Sequence, residues 1–406
     1  MNILLLNIES QEFINDHLNS DINALLLKGT DVKGIDTIEL VEQIEAKSRC
    51  QKKLPTWFQQ ENIYYPNKLN IEQTSSELTA EYKASLIQGA SLIDLTGGFG
   101  VDSFYFSRQF KSVTHCEINK ELSQIVHHNF KQLEVVNIET IASDGMEFLK
   151  DSNKKYDWIY VDPSRRHDLK GKVFFLKDCL PNVSERLDSL FERSKNILIK
   201  TSPLLDISAG MEELKNVKTI HIIAVDNEVK ELLWILEKEY QSEITIETVN
   251  LKREKSEAFK FNLLEESQLN VSYSLPLTYL YEPNSAILKS GGFNSVASQM
   301  DVYKLHKHSH LYTSEELIGF PGRRFKIMKT IPYNKKTIKN LNIQKANITT
   351  RNFPQNVQHI RKTFKIKDGG TAYLFFTINK SDKKIVLVCS KLLEANIFQS
   401  NQICHC

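Results

Sequence analysis

The sequence predicts an α/β protein: a doubly wound, mostly parallel sheet in the middle of the chain, a helical region before it and small α+β pieces after it. Three observations carry this reading. Short β-rich runs alternate with spans long enough for crossover helices between about residues 73 and 263. A tight glycine cluster, "SLIDLTGGFG", follows the first of those runs, where an open parallel sheet places its ligand crevice. A chain of 406 residues, 41% hydrophobic and 25% charged, is also too long for one core and has the composition of a globular protein with two or three domains.

Residues 1–72 read as an N-terminal helical region. Apolar positions recur at helical spacing in "SDINALLLKG" and "TIELVEQIEAKSRCQKKLPTWF", with no obvious chemistry, so this part is expected to be a cap or lid. The opening "MNILLLNIESQEF" lacks a basic start and a small-residue cleavage site and turns polar at once, which predicts a cytoplasmic chain without a membrane span.

Residues 73–264 carry the sheet. Its strands are expected at 91–95, 112–118, 137–143, 156–163 and 196–203, separated by stretches such as "NKELSQIVHHNFKQL" that suit crossover helices. Runs at 219–226, 230–236 and 244–251 follow without helices between them, so they should add antiparallel strands at one edge. A compact piece occupies 265–319. Residues 320–406 form a basic module, in which the runs on either side of Asn379–Lys383 signal a β-hairpin.

Charge is unevenly spread. From Phe320 to Lys367 there are thirteen Lys or Arg and no acid; since the whole chain carries +2, the remainder carries −11. A polyanion-binding module has this character, because Lys and Arg gain by displacing counterions from phosphates. The six cysteines are scattered, except for Cys404 and Cys406, whose spacing matches no four-ligand zinc pattern, so no metal is expected.

The chemistry concentrates after the strands. Gly97, Gly98 and Gly100 follow the first run, where residues without a Cβ let the backbone turn tightly against a ligand. Asp94 ends the first run, Glu117 the second, and Asp144 follows the third. A carboxylate at the second position can accept both hydroxyls of a nucleoside ribose, one after the third lies near its base, and one at the first lies near a cationic tail. Asp94 or Asp144 taken alone could equally be a helix cap. Together, with "VDPS" ending the fourth run, they suit S-adenosylmethionine, whereas a dinucleotide would place its pyrophosphate at a helix N-terminus and gain nothing from so many acids.

The stretches "DLTGGFGVDSFYFS", "CEIN", "ASDG" and "YVDPSRR" resemble class I S-adenosylmethionine-dependent methyltransferases. In the order of its pieces the chain is similar to a bacterial methyltransferase family with a ferredoxin-like segment and a C-terminal THUMP-like domain, which "YLYEPNSAILKSGGF", "LYTSEELIGFPGR" and "KANITTRNFP" resemble. The resemblance covers roughly residues 70–400. It implies a Rossmann-like, seven-stranded methyltransferase sheet over 73–264, a ferredoxin-like segment over 265–319 and a THUMP-like domain over 320–406. It further implies that Asp94, Thr96, Gly97, Gly98, Gly100, Glu117, Ile118, Asp144 and Gly145 line the cofactor site, and that Asp162, Pro163 and Ser164 serve catalysis. "TSSELTAEYKASL" is similar to the segment that closes over the cofactor in related RNA guanine-N2 methyltransferases.

Methyl transfer asks a protein to align a nucleophile and to accept its proton or orient its lone pair. Asp162 is placed for that. Methyltransferases acting on exocyclic amines often carry [DN]-P-P-[YFW] here, whereas this chain reads Asp162-Pro163-Ser164-Arg165-Arg166 and so lacks the second proline and the aromatic residue. Arg165 and Arg166 are expected to clamp a phosphate or stack on a base, with Arg323, Arg324 and Arg351 of the basic module as further contacts to structured RNA, tRNA or rRNA. A catalytically inactive RNA-binding scaffold and a nicotinamide-linked reductase are the alternatives; the latter shares the fold and the glycines.

Overall fold

The computed structural model describes residues 1–30, 32–165, 175–253 and 255–392. The chain divides into two compact units, Met1–Lys218 with Leu232–Gln241, and Thr219–Glu231 with Ser242–Cys406. The tail with Cys404 and Cys406 lies outside the described residues.

In the first unit, β1 (Gly89–Asp94), β2 (Phe110–Cys116), β3 (Ile138–Ile141), β4 (Trp158–Val161) and β5 (Asn196–Thr201) are paired in parallel in the order β5-β4-β1-β2-β3. The central strands are buried on both faces, which is why Leu92-Ile93, Ile159-Tyr160-Val161 and Ile197-Leu198-Ile199 read as unbroken apolar runs. Strand β7 (Glu228–Glu237) lies antiparallel to β5, with Thr201 opposite Leu232.

Helices precede the sheet, as expected. Helix α1 (Thr37–Lys53), capped by the Asp36 side chain on the Ile38 N–H, buries Leu40, Val41, Ile44 and Cys50 on one face. Helix α2 (Glu77–Ser85) follows, capped by Ser76. Between the strands run α3 (Val101–Phe106), α4 (Lys120–Gln132) and α5 (Gly145–Asp151). On α4 the spacing of Leu122, Ile125, Val126 and Phe130 forms the buried stripe. No helix among the described residues is long and apolar enough to cross a membrane.

In the second unit, β6 (Val217–Val225), β8 (Thr245–Leu251) and β9 (Glu257–Asn262) correct one expectation. β9 is antiparallel to β8, but β8 runs parallel to β6. The chain reverses at Asp226 and Asn227, both at positive φ, and again before β8, so the third run points with the first.

A seven-stranded sheet fills the rest of this unit. Its order is Tyr303–Lys304, β11 (Tyr312–Ser314), β10 (Tyr279–Pro283), β12 (Gly322–Pro332), β15 (Lys384–Lys391), β14 (Lys367–Ile378) and β13 (Lys345–Thr350). The predicted hairpin is β14–β15, closed by Asn379, whose side chain accepts the N–H groups of Ser381 and Lys383. One apolar cluster joins Leu280, Phe325, Phe375 and Leu387; a second joins Leu374, Phe376 and Val386 to Ile338 of α6 (Lys335–Lys339) and Ile360 of α7 (Val357–Phe364). Alternate residues of β14, such as Leu374, Phe375 and Phe376, thus feed opposite clusters, as the two-residue period of a strand requires.

Candidate active site

The carboxyl ends of β1, β2 and β4 converge on the glycine bend. Gly97 donates its N–H to the Cys116 carbonyl at 2.8 Å and lies so close to the His115 ring that a Cβ would stand 2.2 Å from Nε2. Only a residue without a side chain fits. Gly98 is special for a different reason: its φ is +54°, while a Cβ there would meet nothing nearer than the Thr96 carbonyl at 3.9 Å. The bend is therefore open on that side. Gly100, at φ +80°, begins α3 against Phe130 and Val126.

Glu117 turns toward this opening. One carboxylate oxygen accepts the Gly98 N–H at 2.9 Å and the other accepts the Asn119 N–H at 2.7 Å. Ile118 beside it is 69% exposed, an unusual position for a large apolar side chain at the end of a buried strand. Asp144 caps α5 through Oδ1, which accepts the N–H groups of Met146 and Glu147, and it borders a cavity of about 540 Å³ that also meets Lys177, Pro181 and Arg186. Gly145 packs against the Leu95 backbone, where a Cβ would stand 2.3 Å from the carbonyl oxygen.

Asp94, expected near a cationic tail, ends β1. It is buried, with Oδ1 accepting the Thr96 N–H at 3.0 Å and Oδ2 the Ser103 hydroxyl at 2.7 Å, so it braces the bend from inside. Burial pushes its carboxyl up to about 7, against the pull of those two hydrogen bonds. His115, fully buried below the bend, is held down at about 4 by the same loss of solvation. The imidazole is neutral at pH 7.

On the β4 side, the Asp162 N–H donates to the Thr96 hydroxyl at 2.7 Å, and Asp162 Oδ2 meets the Lys200 ammonium at 2.5 Å. Pro163 is buried and Ser164 is exposed. Ser164 and Arg165 pair antiparallel with Leu180 and Cys179. The Arg165 side chain and all of Arg166 lie outside the described residues.

Five side chains to which the sequence reading gave no role complete the surroundings. Asp102, two residues beyond the bend, accepts the Ser75 and Tyr160 hydroxyls at 2.9 and 2.8 Å and faces the Lys83 ammonium at 3.2 Å. Burial works to raise its carboxyl, but the ammonium groups of Lys83 and Lys200, with the Tyr160 and Ser75 hydroxyls, together leave it below the usual range. The signals were present. Lys83 falls between Ala80 and Ala84 on the buried face of α2, and Lys200 is the one charge in "NILIKTSP".

The arginines chosen from the basic module are engaged within the protein. Arg323 and Arg351 both grip Glu282, whose side chain is 3% exposed: Arg351 through Nε at 3.1 Å and Nη2 at 2.9 Å, and Arg323 through Nε at 2.7 Å and through Nη2. Arg324 is buried, and Arg361 reaches Asp368 and the Ala346 carbonyl. The planar fork that suits phosphate suits a buried carboxylate equally well. All nine lysines between 320 and 367 are exposed instead.

Comparison with known proteins agrees with this architecture. Residues 66–175 match the family described as conserved hypothetical protein 95, residues 279–321 a ferredoxin-like domain and residues 322–391 a THUMP domain-like family. A crystal structure from Porphyromonas gingivalis W83, assigned as a methyltransferase, is 32% identical with a TM-score of 0.86, covering 94% of this chain and 97% of that one. Ribosomal RNA small subunit methyltransferase D of Buchnera aphidicola is 29% identical over 119 residues, 28% of this chain; the match spans 62% of the length of that curated relative.

Proposed function

The chain belongs to the methyltransferase family of the Porphyromonas gingivalis protein, with ferredoxin-like and THUMP-like segments in its C-terminal part, and on that premise we propose that it is S-adenosylmethionine-dependent and methylates a base of structured RNA, tRNA or rRNA. One observation carries the cofactor half of this reading. Gly98 faces open space, and the Glu117 carboxylate is turned to the same bend.

The residues present fit the group. Glu117 would take the ribose hydroxyls, Ile118 would cover a face of the adenine, and the Gly97–Gly98 backbone would lie against the aminoacyl arm, with Asp144 at the adenine edge. When bound, S-adenosylmethionine supplies an electrophilic methyl group. The protein's own part is to hold an acceptor over the Asp162 loop, exclude water and receive a proton. The exposed lysines of residues 320–367 would neutralise RNA phosphates, the readiest role for so many cations without neighbouring acids in sequence. The expected location is the cytoplasm.

Calorimetric titration with S-adenosylhomocysteine tests the cofactor half. Micromolar binding that Glu117→Ala weakens at least tenfold is expected, and no heat at high micromolar ligand would overturn it. For the RNA half, affinity for transcribed rRNA and tRNA should fall steeply with salt; a flat response would exclude phosphate contact as the main source of affinity.

A further inference from the structure

We propose that Arg323 and Arg351, held side by side by Glu282, form a binding site for a phosphate monoester in the second unit. The site uses no residue of the first unit and stands whether or not the chain transfers methyl groups.

Three stretches that the sequence singles out, "YLYEPNSAILKSGGF", "LYTSEELIGFPGR" and "KANITTRNFP", meet in these three side chains. Strands β10 and β13 have β12, β15 and β14 between them, which in a flat sheet would part them by about 19 Å. The sheet curls instead. Arg351, just beyond β13, thereby reaches Glu282 of β10, and Arg323 of β12 reaches both Glu282 and the Thr349 hydroxyl of β13, the latter at 3.4 Å.

This grip spends only part of each guanidinium. Glu282 accepts from Nε and Nη2 of both arginines, and no described residue accepts a hydrogen bond from either Nη1. Arg361, by contrast, gives both Nη1 and Nη2 to the Ala346 carbonyl and Nη2 to Asp368 at 2.5 Å. Burial differs in the same sense. The Glu282 side chain is 3% exposed, whereas those of Arg323 and Arg351 are 38% and 31% exposed, so the carboxylate is a buried anchor whose two cations face water.

The ligand follows from the donors. Two guanidiniums against one carboxylate leave a surplus positive charge, and no acid between 320 and 367 cancels it. The field reaches His310, whose imidazole is pushed down to about 4, first by burial and then by Lys304, Arg351 and His308. A fork of N–H donors matches paired oxygens of an anion. A carboxylate, with two oxygens, is satisfied by one fork; a phosphate monoester has three terminal oxygens and, as a dianion, charge enough for both. Glu282 aligns the forks beforehand, so less side-chain freedom is lost on binding. The Phe325 ring, its centroid 5.6 Å from the Arg323 guanidinium carbon, holds that fork further.

The test treats the full chain with phenylglyoxal, which condenses with guanidiniums, with and without inorganic phosphate at constant ionic strength, and reads modified peptides by mass spectrometry. Phosphate is expected to slow modification of Arg323 and Arg351 roughly tenfold and to leave the exposed Arg253 unaffected. No protection up to roughly 10 mM phosphate, or equal protection of Arg253, overturns the proposal. Arg323→Lys and Arg351→Lys keep the charge and a partner for Glu282 but lose one fork, so phosphate should protect the remaining arginine with roughly tenfold weaker affinity. Unchanged protection in a variant that melts like the wild type refutes the paired forks, and the wild-type footprint decides the matter if both variants fold poorly. Cytidine 5′-monophosphate and an oligoribonucleotide with or without a 5′-phosphate separate the sources. Equal protection by nucleotide and phosphorylated oligonucleotide supports a small ligand, and protection by the oligonucleotide at far lower concentration supports an RNA end. Equal protection by the hydroxyl-ended oligonucleotide overturns the monoester, since only backbone diesters remain in it.

Discussion

Gly97→Ala measures how tightly the bend is built. The added methyl would lie 2.2–2.4 Å from Nε2, Cδ2 and Cε1 of His115, a ring with no exposed surface and the edge of Phe130 against it. The ring can yield only by displacing packed neighbours, and such overpacking costs about 1–3 kcal/mol. Losing the freedom of glycine in the unfolded chain returns about 0.4–1 kcal/mol. A net loss of about 1–2 kcal/mol follows, or roughly 2–8 °C in Tm for a unit of this size. Trp57, Trp158 and Trp234 all belong to the first unit, so tryptophan fluorescence during urea unfolding reads that unit. His115→Ala should absorb the methyl, making the double variant more stable than the two single losses sum to. A Gly97→Ala chain with an unchanged midpoint, or strict additivity, would refute the packing argument. Gly98→Ala is the contrast: its cost is about 1 kcal/mol from the left-handed backbone, but its methyl projects into open space, so S-adenosylhomocysteine binding should suffer more than folding does.

Three further outcomes are expected. Asp94, raised to about 7 when folded against about 4 unfolded, stabilises the fold fully below pH 4 and loses that contribution as pH rises to 7, at up to about 1.4 kcal/mol per pH unit; Asp94→Asn should remove this downward slope from melts taken at pH 5 to 8. His115, lowered to about 4 from about 6.5, slopes oppositely and costs stability as pH falls between those values, so the wild-type profile between pH 4 and 6.5 should be flatter than that of either Asp94→Asn or His115→Phe. Glu282→Gln leaves two arginines facing a neutral amide and should cost about 3 kcal/mol, seen as an earlier transition by far-UV circular dichroism; an unchanged transition would mean the grip is idle. Replacing Lys335, Lys336 and Lys339 by Glu should leave melting intact and lower the salt slope of RNA binding by about 0.9 for each duplex phosphate that is no longer neutralised.

What was legible in the sequence followed from periodicity and from glycine. The parallel strands announced themselves because a strand buried on both faces must be apolar throughout, and the bend did so because a turn this tight excludes side chains. The turn of Glu117 toward the bend was legible because it ends a strand beside it. Asp94 was not, since position alone cannot say whether a carboxylate at a strand's end looks outward or, as here, inward to Ser103. The internal partners of the arginines in the basic stretch were illegible for a similar reason. Glu282, which holds Arg323 and Arg351, lies some 40 to 70 positions earlier, and no local pattern couples such distant residues. Lys200 was legible in principle, as a lone charge in an apolar strand is an anomaly that needs a partner.

The Thr96 hydroxyl has a consequence of its own. It ties the strand end that carries the bend to the Asp162 backbone through one hydrogen bond of 2.7 Å, so displacement of either loop is handed to the other. A valine at position 96, equal in shape but unable to accept that N–H, would leave the two loops joined only by the strand pairing behind them, where Leu95 donates to the Tyr160 carbonyl at 3.0 Å.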